Sequence, residues 1–237
     1  MKNLKVYRHE FKYYINYFEF EVLRRRLSAI LKQDRFANEN GDYHIRSLYF
    51  DDNKNTALFE KQSGTLKRKK YRIRIYNVSD KIIKLEKKSR IGQFIHKESA
   101  SISKEEYLKI INGDLEFLKS RNNTLLMEFY LDCTINRYVP TVIVDYQREA
   151  YIWAINNVRI TFDKELKTGL NKLDIFDKEL PTINALDEPK MILEIKYDHF
   201  LPDFIRDILQ IKSSQRFAIS KYVICRKFTK HNTWEDN

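Results

Sequence analysis

The sequence predicts an α+β fold: an eight-stranded antiparallel β-barrel with helices packed on its outside. Three observations predict it. Eight short segments alternate polar and apolar residues with the period of a strand, and five others carry helical stripes or caps. Within the strands, charge collects on one face and aliphatic or aromatic side chains on the other, because residues i and i+2 share a face. Eight such strands suffice for a sheet to close on itself around a filled or lined interior.

The first strand covers about residues 5–15, with Arg8, Glu10 and Lys12 on one face and Tyr7, Phe11, Tyr13 and Ile15 on the other. A helix over 19–32 gathers Phe20, Leu23, Leu27, Ile30 and Leu31 into one stripe, with Arg24, Arg25 and Arg26 mostly outside it. Strands follow at 45–51, 70–77, 81–88 and 94–102. In the second of these, Arg72 and Arg74 oppose Tyr71, Ile73 and Ile75; in the third, Lys84, Glu86 and Lys88 oppose Ile83 and Leu85; Lys97 joins the charged face from the fourth. Residues 103–112 open with a Ser103-x-x-Glu106 capping box and stop at Gly113, and 125–136 is helical or ambiguous in period. The strand at 141–151 aligns Tyr146 with Arg148, and that at 158–163 aligns Arg159, Thr161 and Asp163. The strand at 190–197 sets Glu194 and Lys196 against Met191, Leu193 and Ile195. Helices at 203–211, after Pro202, and at 214–227 complete the chain. With no repeat, no linker and four prolines, one domain over residues 1–237 is expected.

Composition excludes several chemistries. The two nearest of the five glycines, Gly92 and Gly113, are 21 residues apart. P-loops, dinucleotide fingerprints, kinase glycine loops and G-x-S-x-G elbows need two glycines within a few residues. Cys133 and Cys225 are the only cysteines, too few for a disulfide framework or a Cys-rich zinc site. The five histidines contain no i, i+4 pair, so a zincin helix is absent. No apolar run approaches membrane length, and MKNLKVYRHEF lacks a signal-peptide core, so a soluble cytoplasmic protein is expected.

What remains is charge. The chain has 44 Lys and Arg against 33 Asp and Glu, a formal net charge of +11. Ten bases stand on the charged strand faces: Arg8, Lys12, Arg72, Arg74, Lys84, Lys88, Lys97, Arg148, Arg159 and Lys196. Like charges side by side cost energy unless something neutralises them, and a polyanion is the natural neutraliser. If the sheet curls with its apolar face under the helices, these bases converge in a phosphate-binding lumen. Four carboxylates lie among them, Glu10, Glu86, Asp163 and Glu194. They are hard oxygen ligands suited to Mg²⁺ or Mn²⁺ between protein and phosphate, or else ion-pair partners of the bases. Phosphoryl transfer to an anionic acceptor needs positioning and charge neutralisation rather than a Ser/His/Asp apparatus.

Eight motifs in order carry a resemblance: E-F-K (Glu10 to Lys12), S-L-Y-F-D (Ser47 to Asp51), Y-R-I-R-I-Y (Tyr71 to Tyr76), L-E-K-K (Leu85 to Lys88), V-D-Y-x-R-E-A (Val144 to Ala150), R-I-T-F-D (Arg159 to Asp163), L-E-I-K (Leu193 to Lys196) and S-K-Y (Ser220 to Tyr222). Over some 210 residues, the chain resembles the catalytic domain of the vacuolar transporter chaperone family of polyphosphate polymerases, within the triphosphate tunnel metalloenzymes. The resemblance implies an eight-stranded tunnel in which ATP donates its γ-phosphoryl group to a polyphosphate chain, assisted by Mn²⁺ or Mg²⁺. It implies that Lys12, Arg72, Arg74, Lys84, Lys97, Arg148, Arg159 and Lys221 line the phosphate path and that Tyr146 contacts the same phosphates. Glu194 would lead the metal ligands, with Glu10, Glu86 and Asp163 as further donors, and Lys196, Lys88 and Arg8 would add to the binding set. Hydrolase and cyclase branches begin E-x-E-x-K, whereas this chain reads R-H-E-F-K, with Arg8 at the first acidic position. That exchange favours holding a long polyanion over a metal-rich hydrolytic site. The alternatives are an inorganic triphosphatase or nucleoside triphosphatase on the same tunnel, and a non-catalytic polyphosphate or nucleotide binder. Nucleic acid is not expected as a partner, because most strand aromatics face away from the arginines.

Overall fold

In a computed structural model, the described residues are 8–92, 94–170, 172–186, 190–209 and 216–231. The strands among them are β1 (Arg8–Ile15), β2 (Lys32–Gln33), β3 (Asp42–Asp51), β4 (Lys67–Tyr76), β5 (Ser79–Ile91), β6 (Phe94–Ser101), β7 (Val139–Trp153), β8 (Val158–Gly169), β9 (Thr182–Asn184) and β10 (Met191–Asp198). The helices are α1 (Tyr17–Ser28), α2 (Thr56–Gln62), α3 (Lys104–Ile111), α4 (Phe117–Ser120), α5 (Thr124–Ile135), α6 (Asp203–Ile208) and α7 (Lys221–His231).

The α+β class holds, and the closed eight-stranded barrel does not. The described strands form one ten-stranded sheet in the order β1-β10-β8-β7-β3-β4-β5-β6, with β2 paired to β7 and β9 to β8 beside that path. The path has two ends, where a closed barrel has none. At β1 the reason is local. The Phe217 N–H donates to the Lys12 carbonyl at 3.1 Å, and Lys12 Nζ donates to the Ile219 carbonyl at 3.2 Å, so irregular backbone meets this strand. The same bonds correct the expected helix at 214–227: residues 216–220 are irregular and α7 starts at Lys221, while 214 and 215 lie outside the described residues. Residues 5–7 of the first expected strand, and 210 and 211 of the expected helix at 203–211, also lie outside the described residues.

The chain divides into two compact units, the first made of residues 1–44, 146–166 and 186–220 and the second of 45–145, 167–185 and 221–237. Each buries its own core. In the first unit, Phe20, Leu23 and Leu27 of α1 meet Ile160 and Phe162 of β8 and Leu193 and Ile195 of β10. The edge of Phe20 packs on Phe162 with centroids 5.0 Å apart. Helix α1 starts two residues before the expected stripe because Asn16 caps it: its side chain accepts from the Glu19 N–H at 2.8 Å, and the Glu19 carboxylate accepts from the Asn16 N–H at 2.9 Å. In the second unit the apolar faces of β4 and β5, with Tyr71, Ile73, Ile75, Ile83 and Leu85, lie under Tyr107 and Ile110 of α3 and Leu125, Leu126 and Phe129 of α5. This fixes which way the remaining side chains of those strands face: the alternate residues Arg72, Arg74, Lys84 and Glu86 stand on the side away from that core. The expected capping box of α3 is present, the Ser103 hydroxyl accepting from the Glu106 N–H at 3.1 Å.

Candidate functional site

Strand register sets the charged residues of the second unit in rows. Tyr49 of β3, Arg72 of β4, Glu86 of β5 and Ser99 of β6 form one row; Ser47, Arg74, Lys84 and Ser101 form the next; Lys70, Lys88 and Lys97 form the row on the other side. Glu86, 3% exposed, is the hub: it accepts from Arg72 Nε at 2.7 Å and pairs with Lys97 Nζ at 2.5 Å and Arg74 Nη1 at 4.0 Å. Burial would push its pKa up, but Arg72, Arg74 and Lys97 outweigh burial and hold it well below the usual carboxylate range. One carboxylate therefore orients three cations and leaves the group net positive. Arg74, itself buried, also donates Nε to the Ser47 hydroxyl at 3.1 Å.

Tyr49 is the residue that sequence reading missed here. Its hydroxyl accepts from Arg72 Nη1 at 2.8 Å, and its ring stacks on Tyr222 of α7 with centroids 5.0 Å apart. Burial raises its pKa, but Arg72, Lys70 and Arg74 more than reverse that, bringing it to about 7. Tyr222 in turn donates its hydroxyl to Asp51 at 2.5 Å. That anchor seats the first turn of α7, and with it Lys221, in the same unit as Arg72. The signal for Tyr49 was its place in S-L-Y-F-D, and only register reveals that it stands opposite Arg72.

The first unit carries its own charged rows. Lys12 of β1, Glu194 of β10 and Thr161 of β8 form one; Glu10, Lys196 and Arg159 form the next. Lys12 pairs with Glu10 at 2.9 Å, and Lys196 pairs with Glu194. Arg148 of β7 grips Asp163 of β8 with two parallel bonds, Nε at 2.6 Å and Nη2 at 2.8 Å, and lies 3.9 Å from Glu194. Its guanidinium carbon sits 5.3 Å from the centroid of the buried Tyr146 ring. Burial opposes the charge on Arg148, yet Asp163 and its other neighbours raise its pKa well above the ordinary value. Burial likewise opposes the charge on Lys12, and Glu194 and Glu10 overcome it, so its pKa is raised. At Lys196 burial prevails over the same two carboxylates, with Arg148 adding repulsion, and the pKa falls to about 8. Arg159 donates Nη2 to Asp34 at 2.6 Å and to the Tyr43 hydroxyl at 2.8 Å. Asp34 and Tyr43 fall outside the strand alternation and were not legible as partners. Arg8 stands on β1 opposite Asp198, and its side chain lies outside what the structure describes.

All four carboxylates are paired with bases: Asp163 with Arg148, Glu86 with Arg72 and Lys97, Glu10 with Lys12, and Glu194 with Lys196. Among the described residues no group of three or more His, Cys, Asp or Glu is placed to hold a metal ion by itself. A hard divalent cation held by Glu10 and Glu194 would have to exchange those lysine contacts for its own and take its other ligands from water and phosphate oxygen. Burial pushes the Cys133 and Cys225 thiols up to about 12, which disfavours the nucleophilic thiolate. No helix among the described residues is long and apolar enough to cross a membrane.

Among solved structures, a putative adenylyl cyclase from Hippeastrum, HpAC1, described as having a dominant triphosphatase activity, superposes with a TM-score of 0.56 at 13% identity over 92% of this chain and 95% of that one. A putative adenylate cyclase from Bacillus halodurans gives 0.49 at 15% identity over 89% and 92%. No curated protein matches the sequence. At such identity the first likeness is one of fold. The model of the VTC domain family matches residues 7–230, a span that contains all eight motifs from Glu10 to Tyr222. The chain belongs to the VTC domain family.

Proposed function

We propose that this chain is a metal-dependent polyphosphate polymerase that transfers the γ-phosphoryl group of ATP to a growing polyphosphate chain and releases ADP. The observation that carries this reading is the Glu86 hub, one buried carboxylate orienting Arg72, Arg74 and Lys97 on the strand face turned away from the core. In this mechanism a terminal phosphate oxygen of the acceptor attacks the γ-phosphorus, the bond from γ-phosphorus to the bridging oxygen breaks, and that oxygen leaves with ADP. The acceptor oxygen is already anionic, so no general base is required. Arg72 and Arg74 present paired N–H donors to equatorial phosphate oxygens, while Lys84, Lys88, Lys97 and Lys221 supply point charges. In the first unit, Lys12, Arg148, Arg159 and Lys196, with Tyr146, hold phosphate in the same manner. Mn²⁺ or Mg²⁺, when bound, would neutralise phosphate charge, and Glu194 with Glu10 would hold it. The second reading is a triphosphatase using the same residues, favoured by the activity named for the Hippeastrum structure.

The test is incubation of purified protein with ATP and Mn²⁺, with and without a short phosphate primer, resolving products by phosphorus NMR and gel. Polyphosphate growing in step with ADP is the expected outcome. Orthophosphate appearing in its place would move the protein to the hydrolases.

Tyr49 gives the reading a pH dependence. Below about 7 its hydroxyl is neutral; above it, a phenolate faces Arg72 and subtracts positive potential from the phosphate-binding group. Affinity for tripolyphosphate is therefore expected to fall as pH rises through that value, by about tenfold, or ~1.4 kcal/mol. Calorimetric titration across this range should show the decline in the wild type, and Tyr49→Phe should flatten it. An unchanged slope in the variant would assign the titration to another group.

A further inference from the structure

The ends of the β4–β5–β6 hairpins carry a feature that phosphate chemistry leaves unused. Leu66, Ile91, Ile95 and Phe94 are 72%, 62%, 49% and 47% exposed. They adjoin along the backbone at the hairpin ends: the Gly92 N–H donates to the Leu66 carbonyl at 2.9 Å, Ile91 stands opposite both Lys67 and Phe94, and Ile95, in the next row opposite Arg90, lies on the other face. The two segments that build this end, residues 64–70 (GTLKRKK) and 88–97 (KSRIGQFIHK), contain seven Lys and Arg and no Asp or Glu. Arg68 and Arg90 face each other across the strands, and each side chain folds back on its own turn, Arg68 Nη1 to the Thr65 carbonyl at 2.6 Å and Arg90 Nε to the Gly92 carbonyl at 2.7 Å. Below them, Lys69 pairs with Asp132 and Lys97 with Glu86. The nearest acids in sequence, Glu60, Glu86 and Glu98, lie beyond the ends of the two segments.

From the register, depth orders this chemistry. The outermost row is Lys67, Ile91 and Phe94; the next is Arg68, Arg90 and Ile95; the fourth is Lys70, Lys88 and Lys97. At about 3.3 Å per residue these rows span roughly 10 Å, the depth over which an interfacial segment passes from acyl chains to headgroups. Apolar side chains lead, cations follow, and Lys67 in the first row has a stem long enough to reach back to the headgroups. A symmetric contact with a second copy of the chain would set this basic end against another one, like charge against like. A soluble polyanion would meet the cations and leave the aliphatic side chains in water.

We propose that this end of the β4–β5–β6 hairpins is a peripheral docking surface for an anionic lipid bilayer, with Leu66, Ile91, Phe94 and Ile95 entering the interface and Lys67, Arg68 and Arg90 meeting lipid phosphates and carboxylates. The test is flotation of the full chain with vesicles of phosphatidylcholine alone or of phosphatidylcholine with phosphatidylserine. Wild-type protein is compared with the exposed pair Ile91→Ser/Phe94→Ser and the half-buried pair Arg68→Ser/Arg90→Ser, and circular dichroism melts check that both remain folded. The expected result is binding only to phosphatidylserine vesicles, weakened by added salt, with each pair losing at least about tenfold. Absence of vesicle binding, equal binding to neutral vesicles, or unaltered binding by both folded variants would overturn it. So would a concentration-dependent dimer, abolished by Ile91→Ser/Phe94→Ser, in a protein that binds no vesicle.

Discussion

Arg72→Ala is expected to lower phosphoryl-transfer turnover by about 10² to 10³ while leaving the protein folded, the loss typical of removing one preorganised donor at developing charge. Arg72 is held at two points, by Glu86 through Nε and by Tyr49 through Nη1, so its fork is oriented before any substrate arrives. Removing it still leaves Glu86 with Lys97 and Arg74, so no buried carboxylate is stranded and the cost falls on catalysis rather than stability. Arg72→Lys should recover little, because a point charge cannot keep both contacts and the planar fork. Coupled measurement of ADP release, alongside a thermal melt, separates the two effects. A folded and fully active Arg72→Ala protein would sink the proposed role of the hub.

Arg148→Ala should fail in the opposite way. Asp163 is 0% exposed, and its carboxylate receives both Arg148 bonds. Deleting Arg148 takes both of those bonds from a buried carboxylate, at a cost of about 3–5 kcal/mol. For a chain of this size each kcal/mol lowers Tm by roughly 2–4 °C, so a fall of about 10 °C is expected. Arg148→Ala/Asp163→Ala removes both charges and should recover part of that loss, since no buried carboxylate is then deprived of those two bonds. Urea denaturation of the two variants measures the coupling. If the single and double variants were equally unstable, the pair would not be the source of the penalty.

These two arginines mark how far the sequence could be read. Alternation identified Arg72, Glu86, Arg148 and Asp163 as residues of charged strand faces, because period 2 is a property of the chain itself. Which residues meet is a property of register. Arg72 could be seen to share a face with Arg74, but its opposition to Tyr49 depends on how β3 and β4 align. Asp34, which receives Arg159, lies just past the two-residue strand β2, too short to show any period. Helices α2 and α4 were missed for the same reason, having 7 and 4 residues. The start of α7 was misplaced because β1 claims the preceding backbone: the Lys12 carbonyl accepts from the Phe217 N–H, and Lys12 Nζ donates to the Ile219 carbonyl. The barrel was inferred from a strand count, and counting carries no information about which strands pair at the ends.

The pairing of β1 with β10 also has a cost in time. Arg8 to Ile15 lie opposite Met191 to Asp198, and the first unit is assembled from three separated stretches of chain. During synthesis, β1 has no strand partner until the ribosome has added β10, a wait on the order of ten seconds or more at usual elongation rates. Through that interval it is an orphan strand, the kind of segment that seeds aggregation. Arg8, Glu10 and Lys12, interleaved among its aromatic residues, then act as gatekeepers: the charges proposed to meet phosphate and metal in the finished protein keep the nascent one from pairing with its neighbours.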